Sequence, residues 1–324
     1  MAMTPNFVFN MASSVPPFAT SYDAKKSVVD LLEGLAEIGA VESDSQPVLK
    51  ISTDPSLICI AHQGELTLDL RTLVASLYSD MNTYDLASYF DAMFLHVPSE
   101  EGLEDYVITE ILDTRIEEAA TGHAGTFHEI VEADIDAVMC AVTGAVLVST
   151  ARANRWQFDR SGFVTQATEQ FIDHVSCYRH ALAFLARSQT RAQSSVTRQN
   201  FKDISPVAFP HLYFGVDVPS QLMQVDPKYS SAVFGKLATL ETASMNLTPQ
   251  GLLDSSLGVR GESEQTMRKY GEERRFRDRN GTKRTYTEHL SAGALRIYLR
   301  VDRVSNRIEI AYIGRHPSTV TFGT

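Results

Sequence analysis

The chain of 324 residues holds three cysteines and a single tryptophan. Cys59, Cys140 and Cys177 are widely spaced and odd in number, which argues against a disulfide framework and for a reducing compartment. The longest apolar run, Ala137 to Ala151, is interrupted by Thr143, Gly144, Ser149 and Thr150. It falls short of the roughly 18–20 residues that a membrane-spanning helix needs. The first residues carry no basic stretch of the kind that opens a secretory signal. The expectation is a cytoplasmic protein with no membrane partner.

Familiar catalytic loops are also missing. There is no Gly-x4-Gly-Lys-Ser/Thr loop, no Gly-x-Gly-x-x-Gly after a strand and no Gly-x-Ser-x-Gly elbow. Nucleotide hydrolysis, Rossmann-type cofactor use and esterase chemistry therefore lack their usual signatures. No cofactor and no metal are expected. His128 and Glu132 would share a helix face, with His123, Asp134 and Asp136 nearby, but no second ligand pair completes a metal site. His174, Cys177 and His180 fall on a helix expected over Thr165–Arg187, and the outer two diverge around it.

Charge is unevenly spread. The net charge is −11, yet residues 1–150 hold 24 acidic side chains against five basic ones, and residues 260–315 hold 14 basic against eight acidic. Such asymmetry assigns separate jobs to the two parts and makes the basic part a candidate for anionic partners. A simply soluble acidic surface is the competing account of the first part.

Hydrophobic periodicity predicts an α/β (α+β) protein. An amphipathic helix spans Tyr22–Ile38, short strands cover Val48–Ser52, Leu57–Ala61 and Leu66–Leu68, and helices cover Leu73–Tyr78, Tyr84–Leu95 and Leu103–Ile116. Val138–Val148 reads as buried strand around a Thr143-Gly144 turn. The division expected is an acidic domain over 1–187, a serine-rich linker over 188–206 and a basic, hairpin-rich module over 207–324. In that module a strand near His211–Val216 precedes a helix near Ser231–Met245.

The last sixty residues are the most specific. Asn280-Gly281 is a strong hairpin signal. A two-residue turn there sets Asp278 opposite Lys283, Arg277 opposite Arg284 and Arg275 opposite Tyr286. An Arg–Arg pair across a ladder calls for an anion over it, unless the hairpin is merely solvated. In the second hairpin, Leu295, Ile297, Leu299 and Val301 alternate with Arg296, Tyr298, Arg300 and Asp302. Pairing across the Arg303–Asn306 turn sets Val301 against Ile308, Leu299 against Ile310, Ile297 against Tyr312, and Arg300 against Glu309. One register serves both faces and leaves Arg296 and Tyr298 without an acidic partner.

The stretch Arg296–Asp302, a short turn, and Arg307–His316 resembles the C-terminal strands of RelE/ParE-type toxins, over residues 294–318 alone. Those are small α/β folds with a basic sheet, of which the RelE branch cleaves messenger RNA on the ribosome and the ParE branch poisons gyrase. The resemblance implies a surface that grips phosphate and stabilises in-line attack by a ribose 2′-hydroxyl. Arg296, Arg300, Arg315 and His316 would fall on it, with Tyr298 alongside. Two functions follow as expectations. One is engagement of nucleic acid or the ribosome by the basic module, as a toxin-like or antiviral-defence effector. Arg275, Arg277, Arg284, Arg296, Arg300 and Arg315 would then bind, and His316 and Tyr298 would act in a metal-independent ribonuclease-like reaction. The other is a non-enzymatic protein, or a nucleic-acid mimic, whose acidic half binds a basic partner. The spacing of Arg284 and His289 matches the Arg-x4-His of HEPN ribonucleases, but Thr285, Tyr286 and Thr287 favour a strand, where these two side chains would point apart.

Overall fold

The computed structural model describes residues 6–41, 47–63, 66–96, 128–129, 135–151, 156–165, 168–247 and 257–318. The expected helix over Leu103–Ile116 lies outside them, as do His123, Glu132 and Asp134. The chain is α/β and divides into two compact units, Met3–Arg187 and Ser188–Thr324.

The first unit is built on strands β1 (Asn6–Phe9), β2 (Val48–Ile51), β3 (Cys59–Gln63), β4 (Leu66–Asp69), β5 (Phe94–His96), β6 (His128–Glu129), β7 (Val146–Val148), β8 (Arg160–Thr165) and β9 (Thr168–Val175). Its helices are α1 (Ser21–Val41), α2 (Leu70–Leu77), α3 (Tyr84–Met93) and α4 (Ile135–Thr143), followed by the start of α5 (Tyr178–Ser195). A seven-stranded sheet runs β5-β2-β1-β7-β9-β8-β6. From β5 to β9 all neighbours are parallel. Phe7 and Phe9 face the Val28, Leu32 and Leu35 stripe of α1, while Val8 and Leu147 face Ala137 and Cys140 of α4. Helices thus cover both faces, and strand order reverses between β1 and β7, the doubly wound arrangement. Strands buried on both sides read as continuous apolar runs instead of alternating ones.

The first unit departs from the sequence reading at several places. Val138–Val148 is the end of helix α4 followed by β7, with Gly144 at φ 70° closing the helix through its N–H to the Cys140 carbonyl at 2.9 Å. The helix expected from Thr165 begins only at Tyr178, because Thr168–Val175 is a central strand. His174 therefore sits on a strand, separate from helical His180, with their ring centroids 5.7 Å apart. His128 and Glu129 likewise belong to a strand where a helix was expected.

In the second unit, the segment expected as a linker is helical, continuing α5 to Ser195 and forming α6 (Phe201–Ala208). Ala192, Val196, Phe201 and Ala208 are buried anchors too widely spaced to register as a stripe, and the Gln193 amide donates to the Ala208 carbonyl at 2.9 Å. β10 (Leu212–Phe214), α7 (Val218–Gln224), α8 (Ser230–Met245), β11 (Arg260–Gly261) and α9 (Glu264–Tyr270) follow. The chain then forms β12 (Arg275–Arg277), β13 (Lys283–Thr285), β14 (Glu288–Ala292), β15 (Leu295–Asp302) and β16 (Arg307–Arg315). A five-stranded sheet runs β10-β16-β15-β14-β11. Leu295, Ile297, Leu299, Ile308, Ile310 and Ile313 pack on one side with Phe201, Leu222, Val233 and Leu237.

The β15–β16 register matches expectation from the turn up to Leu299 opposite Ile310. A bulge then places Tyr298 opposite Tyr312 and Ile297 opposite Ile313, where Ile297 had been expected to meet Tyr312. The extra residue, Ala311, lets Ile313 reach the core. The β12–β13 hairpin is also shifted by one: Arg277 faces Lys283, Phe276 faces Arg284 and Arg275 faces Thr285. Asp278 causes the shift, since its carboxylate accepts from the N–H groups of Asn280 and Thr282 at 2.9 and 2.8 Å and so enlarges the loop around Gly281. The Arg277–Arg284 pair does not form.

This hairpin lies over the other side of the sheet. A Cβ on Gly215 would meet the Arg277 carbonyl oxygen at 2.3 Å and the Ala311 Cα at 3.0 Å. Gly215→Ala should destabilise the second unit by about 1–3 kcal/mol, the usual cost of overpacking, measured as a lowered denaturant midpoint. In the first unit, burial pushes the His174 pKa down to about 3. The unfolded chain takes up that proton near pH 6.5, so this stability is present above about 6.5 and is lost as pH falls towards 3. Between pH 6.5 and 5 the loss should approach about 1.4 kcal/mol per pH unit, and His174→Gln should flatten it.

Candidate functional site

In doubly wound sheets ligands bind at the carboxyl ends of the strands where the order reverses. Here that position is filled by the chain's own polar groups. The Asn10 amide donates to Ser149 Oγ at 3.0 Å, and Thr150 Oγ1 donates to the Ser13 carbonyl at 2.7 Å. The chemistry-bearing side chains gather instead on the hairpin-covered side of the second unit's sheet.

Alternation along β15 sends Arg296, Tyr298, Arg300 and Asp302 to that side. His289 of β14 stands opposite Tyr298, and Gly314 of β16 opposite Arg296. Phe276 and Tyr286 of the covering hairpin pack there with Tyr298, Ala311 and Tyr312, and Phe276 stacks on Tyr312 at 4.5 Å between centroids. Tyr298 is therefore fully buried, contrary to its expected availability. Its hydroxyl donates to Glu262, and burial together with that carboxylate pushes its pKa up.

Two buried carboxylates organise this side. Glu262 accepts from Tyr298 and from Arg274 Nε at 3.4 Å, and Arg274 is itself fully buried. Glu309 accepts from Tyr286 Oη at 3.0 Å, from Arg300 Nε at 2.6 Å and from the Arg279 N–H at 3.0 Å.

Most of the expected phosphate-binding arginines already hold a carboxylate. Arg300 pairs with Glu309, Arg284 with Asp278 at 2.6 Å, Arg275 with Glu272 at 3.2 Å, and Arg277 with Asp217. The Arg277 guanidinium holds the Asp217 carboxyl below its usual range. Arg296 and Arg315 have no carboxylate partner among the described residues. Arg315 is exposed; Arg296 is half-buried, and its Nε is buried with no acceptor.

Beside Arg296 lies a residue that the sequence reading left aside as part of a chance spacing. His289 is buried, and its Nδ1 has no hydrogen-bond partner. The nearest carboxylate oxygen, on Glu262, is 3.6 Å from that Nδ1. The His316 ring meets the His289 ring edge-to-face, with centroids 6.1 Å apart. Burial lowers the His289 pKa; Glu262 opposes this, while Arg296, His316 and Arg274 add to it. The imidazole is thus held neutral beside two guanidinium groups. The structure brings together Arg296, His316 and the unforeseen His289, and it removes Tyr298 into the packing. No spacing rule could have found His289, whose neighbours come from β11, β15 and the segment after β16.

Comparison of the chain with protein-family models, with curated proteins and with solved structures finds no match. Glu262→Ala should cost up to about 3–5 kcal/mol, because it leaves the buried Arg274 charge with only the more exposed Glu273 at 3.8 Å. Glu264→Ala, which removes an exposed pairing with Arg268, should cost under about 1 kcal/mol in the same denaturation experiment.

Proposed function

We propose that the second unit engages the phosphate backbone of single-stranded nucleic acid, RNA in particular, as a metal-independent ribonuclease-like effector of the toxin type. One observation carries the reading: His289 Nδ1 and Arg296 Nε, on the same face of the sheet, are each buried without a hydrogen-bond partner, while Arg274 and Arg300 already hold carboxylates. A buried guanidinium donor without an acceptor is costly unless an anion completes it, while His289 Nδ1 lies 3.6 Å from Glu262 and leaves Nε2 to act on a substrate. A phosphodiester supplies the missing acceptor.

The same groups suit transesterification. Neutral His289, oriented by Glu262, takes the proton from a ribose 2′-hydroxyl as that oxygen attacks the adjacent phosphorus. The bond to the 5′ oxygen breaks, and His316 gives a proton to the departing oxygen. Arg296 balances the charge that builds on the phosphoryl oxygens. The products are a 2′,3′-cyclic phosphate and a 5′-hydroxyl end. The separation between Glu262 and His289 closes when a ligand draws the imidazole into line, as unliganded sites commonly require.

The full chain should bind single-stranded RNA at low salt and cut it, while binding deoxy strands without cutting them. His289→Ala and His316→Ala should each lower cleavage by about 10²-fold or more with binding retained. The rate should rise with pH through a value below the ordinary histidine value of about 6.5, since His289 acts in its neutral form. Arg296→Ala should weaken binding and reduce the salt slope by about 0.7. Absence of RNA binding by the folded wild-type chain would sink the proposal.

A further inference from the structure

The same end of the sheet carries a second feature, a cleft of about 690 Å³ between α7 and the adjoining ends of β15 and β16. Its floor is apolar, made by Val225, Leu295 and Ile313, and its rim carries Gln221, Gln224, Asp226, Lys228, Tyr229 and Arg315. The volume lies within the range of sites that enclose a small planar ligand, and an apolar base with a few convergent polar groups is the usual composition of such sites.

Each group has a definable task. Tyr229 is half-buried; its ring lies against Gly293, where a Cβ would meet it at 3.3 Å, and the Lys228 ammonium sits 5.0 Å from its centroid. Gln221 Oε1 accepts from the Ile313 N–H at 2.9 Å, which fixes the amide and leaves its NH₂ group to face ring acceptors. Asp226 and Lys228 neutralise one another at 3.1 Å. Arg315 is therefore the net positive charge of the rim. An aromatic ring, amide donors, a carboxylate acceptor and one unpaired cation match a nucleobase with its attached phosphate.

Strand geometry ties the cleft to the acid–base cluster. Arg315 pairs in register with Leu295 and Gly314 with Arg296, and Leu295, Gly314 and Arg315 all line the cleft. Successive residues of a strand point to opposite faces, so Arg315 and His316 mark the two sides of one strand end. A single strand of nucleic acid passing around that end would meet both.

Resting on the phosphate-binding reading above, we infer that the cleft is a base-binding subsite for one nucleotide of a single strand whose neighbouring phosphate reaches Arg296 and His316. The subsite requires an unpaired base, since a base held in a duplex cannot enter it. The test uses the full chain and a short deoxy single strand, which no 2′-hydroxyl chemistry can cut. It is compared with the same sugar–phosphate strand lacking bases and with the duplex form. The base-bearing strand should bind tighter than the abasic strand by between about 5-fold and 150-fold, the span of one base–aromatic stack. Tyr229→Ala should remove that difference while leaving abasic binding unchanged, and Tyr229→Phe should restore it. Gln224→Ala, an exposed change, should narrow the difference without touching abasic binding. Arg296→Ala should weaken both strands alike. Equal binding of base-bearing and abasic strands overturns the subsite and leaves the phosphate reading standing. Equal weakening of both by Tyr229→Ala also overturns it. Failure of either strand to bind sinks the phosphate reading itself.

Discussion

The second unit depends on two carboxylates that should be unwelcome where they are. Glu262 and Glu309 are buried between a sheet and the hairpin laid over it, and each is held by one tyrosine hydroxyl and one guanidinium. A buried charge costs several kcal/mol unless it is both paired and hydrogen-bonded. Each carboxylate meets both conditions only when the β12–β13 hairpin is in place, because Tyr286 and Arg274 flank its strands. The hairpin in turn stays closed on the sheet through Phe276 and through the absence of a side chain at Gly215. Electrostatic satisfaction and aromatic packing here are one constraint seen from two directions.

The arrangement sorts the basic residues. A count of arginines suggests a broadly cationic face, but pairing with Asp217, Glu272, Asp278 and Glu309 reduces it to a narrow one. Of the arginines expected to bind phosphate, Arg296 at the start of β15 and Arg315 at the end of β16 remain without a carboxylate among the described residues, and the His289 and His316 rings meet nearby. The low dielectric around Arg296 and His289 strengthens whatever contact an anion makes there.

Parts of the fold are legible in the chain. Helix α1, α3, α8 and the hairpin register from Leu299 to Asp302 follow from periodicity, because their apolar residues recur within a few positions. The bulge at Ala311 and the shifted β12–β13 register were not legible. The first answers to the need of Ile313 for the core, and the second to the Asp278 carboxylate reaching its own loop. Val138–Val148 misled for a related reason: an element covered on both sides loses the alternation that separates helix from strand.

The sequence by itself determined the α/β class, the uneven charge, the strand pairing from Leu299 to Asp302 and the presence of Arg296 and Arg315 on those strands with His316 just beyond. These depend on neighbours close along the chain, where period and turn chemistry act. Tertiary structure alone decided which of these groups are free to act. Tyr298 is withdrawn by Glu262, 36 residues away, and Arg277 by Asp217, 60 residues away. His289 enters the site because β14 pairs with β15 beneath a carboxylate from the end of β11. Coulomb attraction and burial act through space, so a charge's partner is settled only once the chain has folded around it.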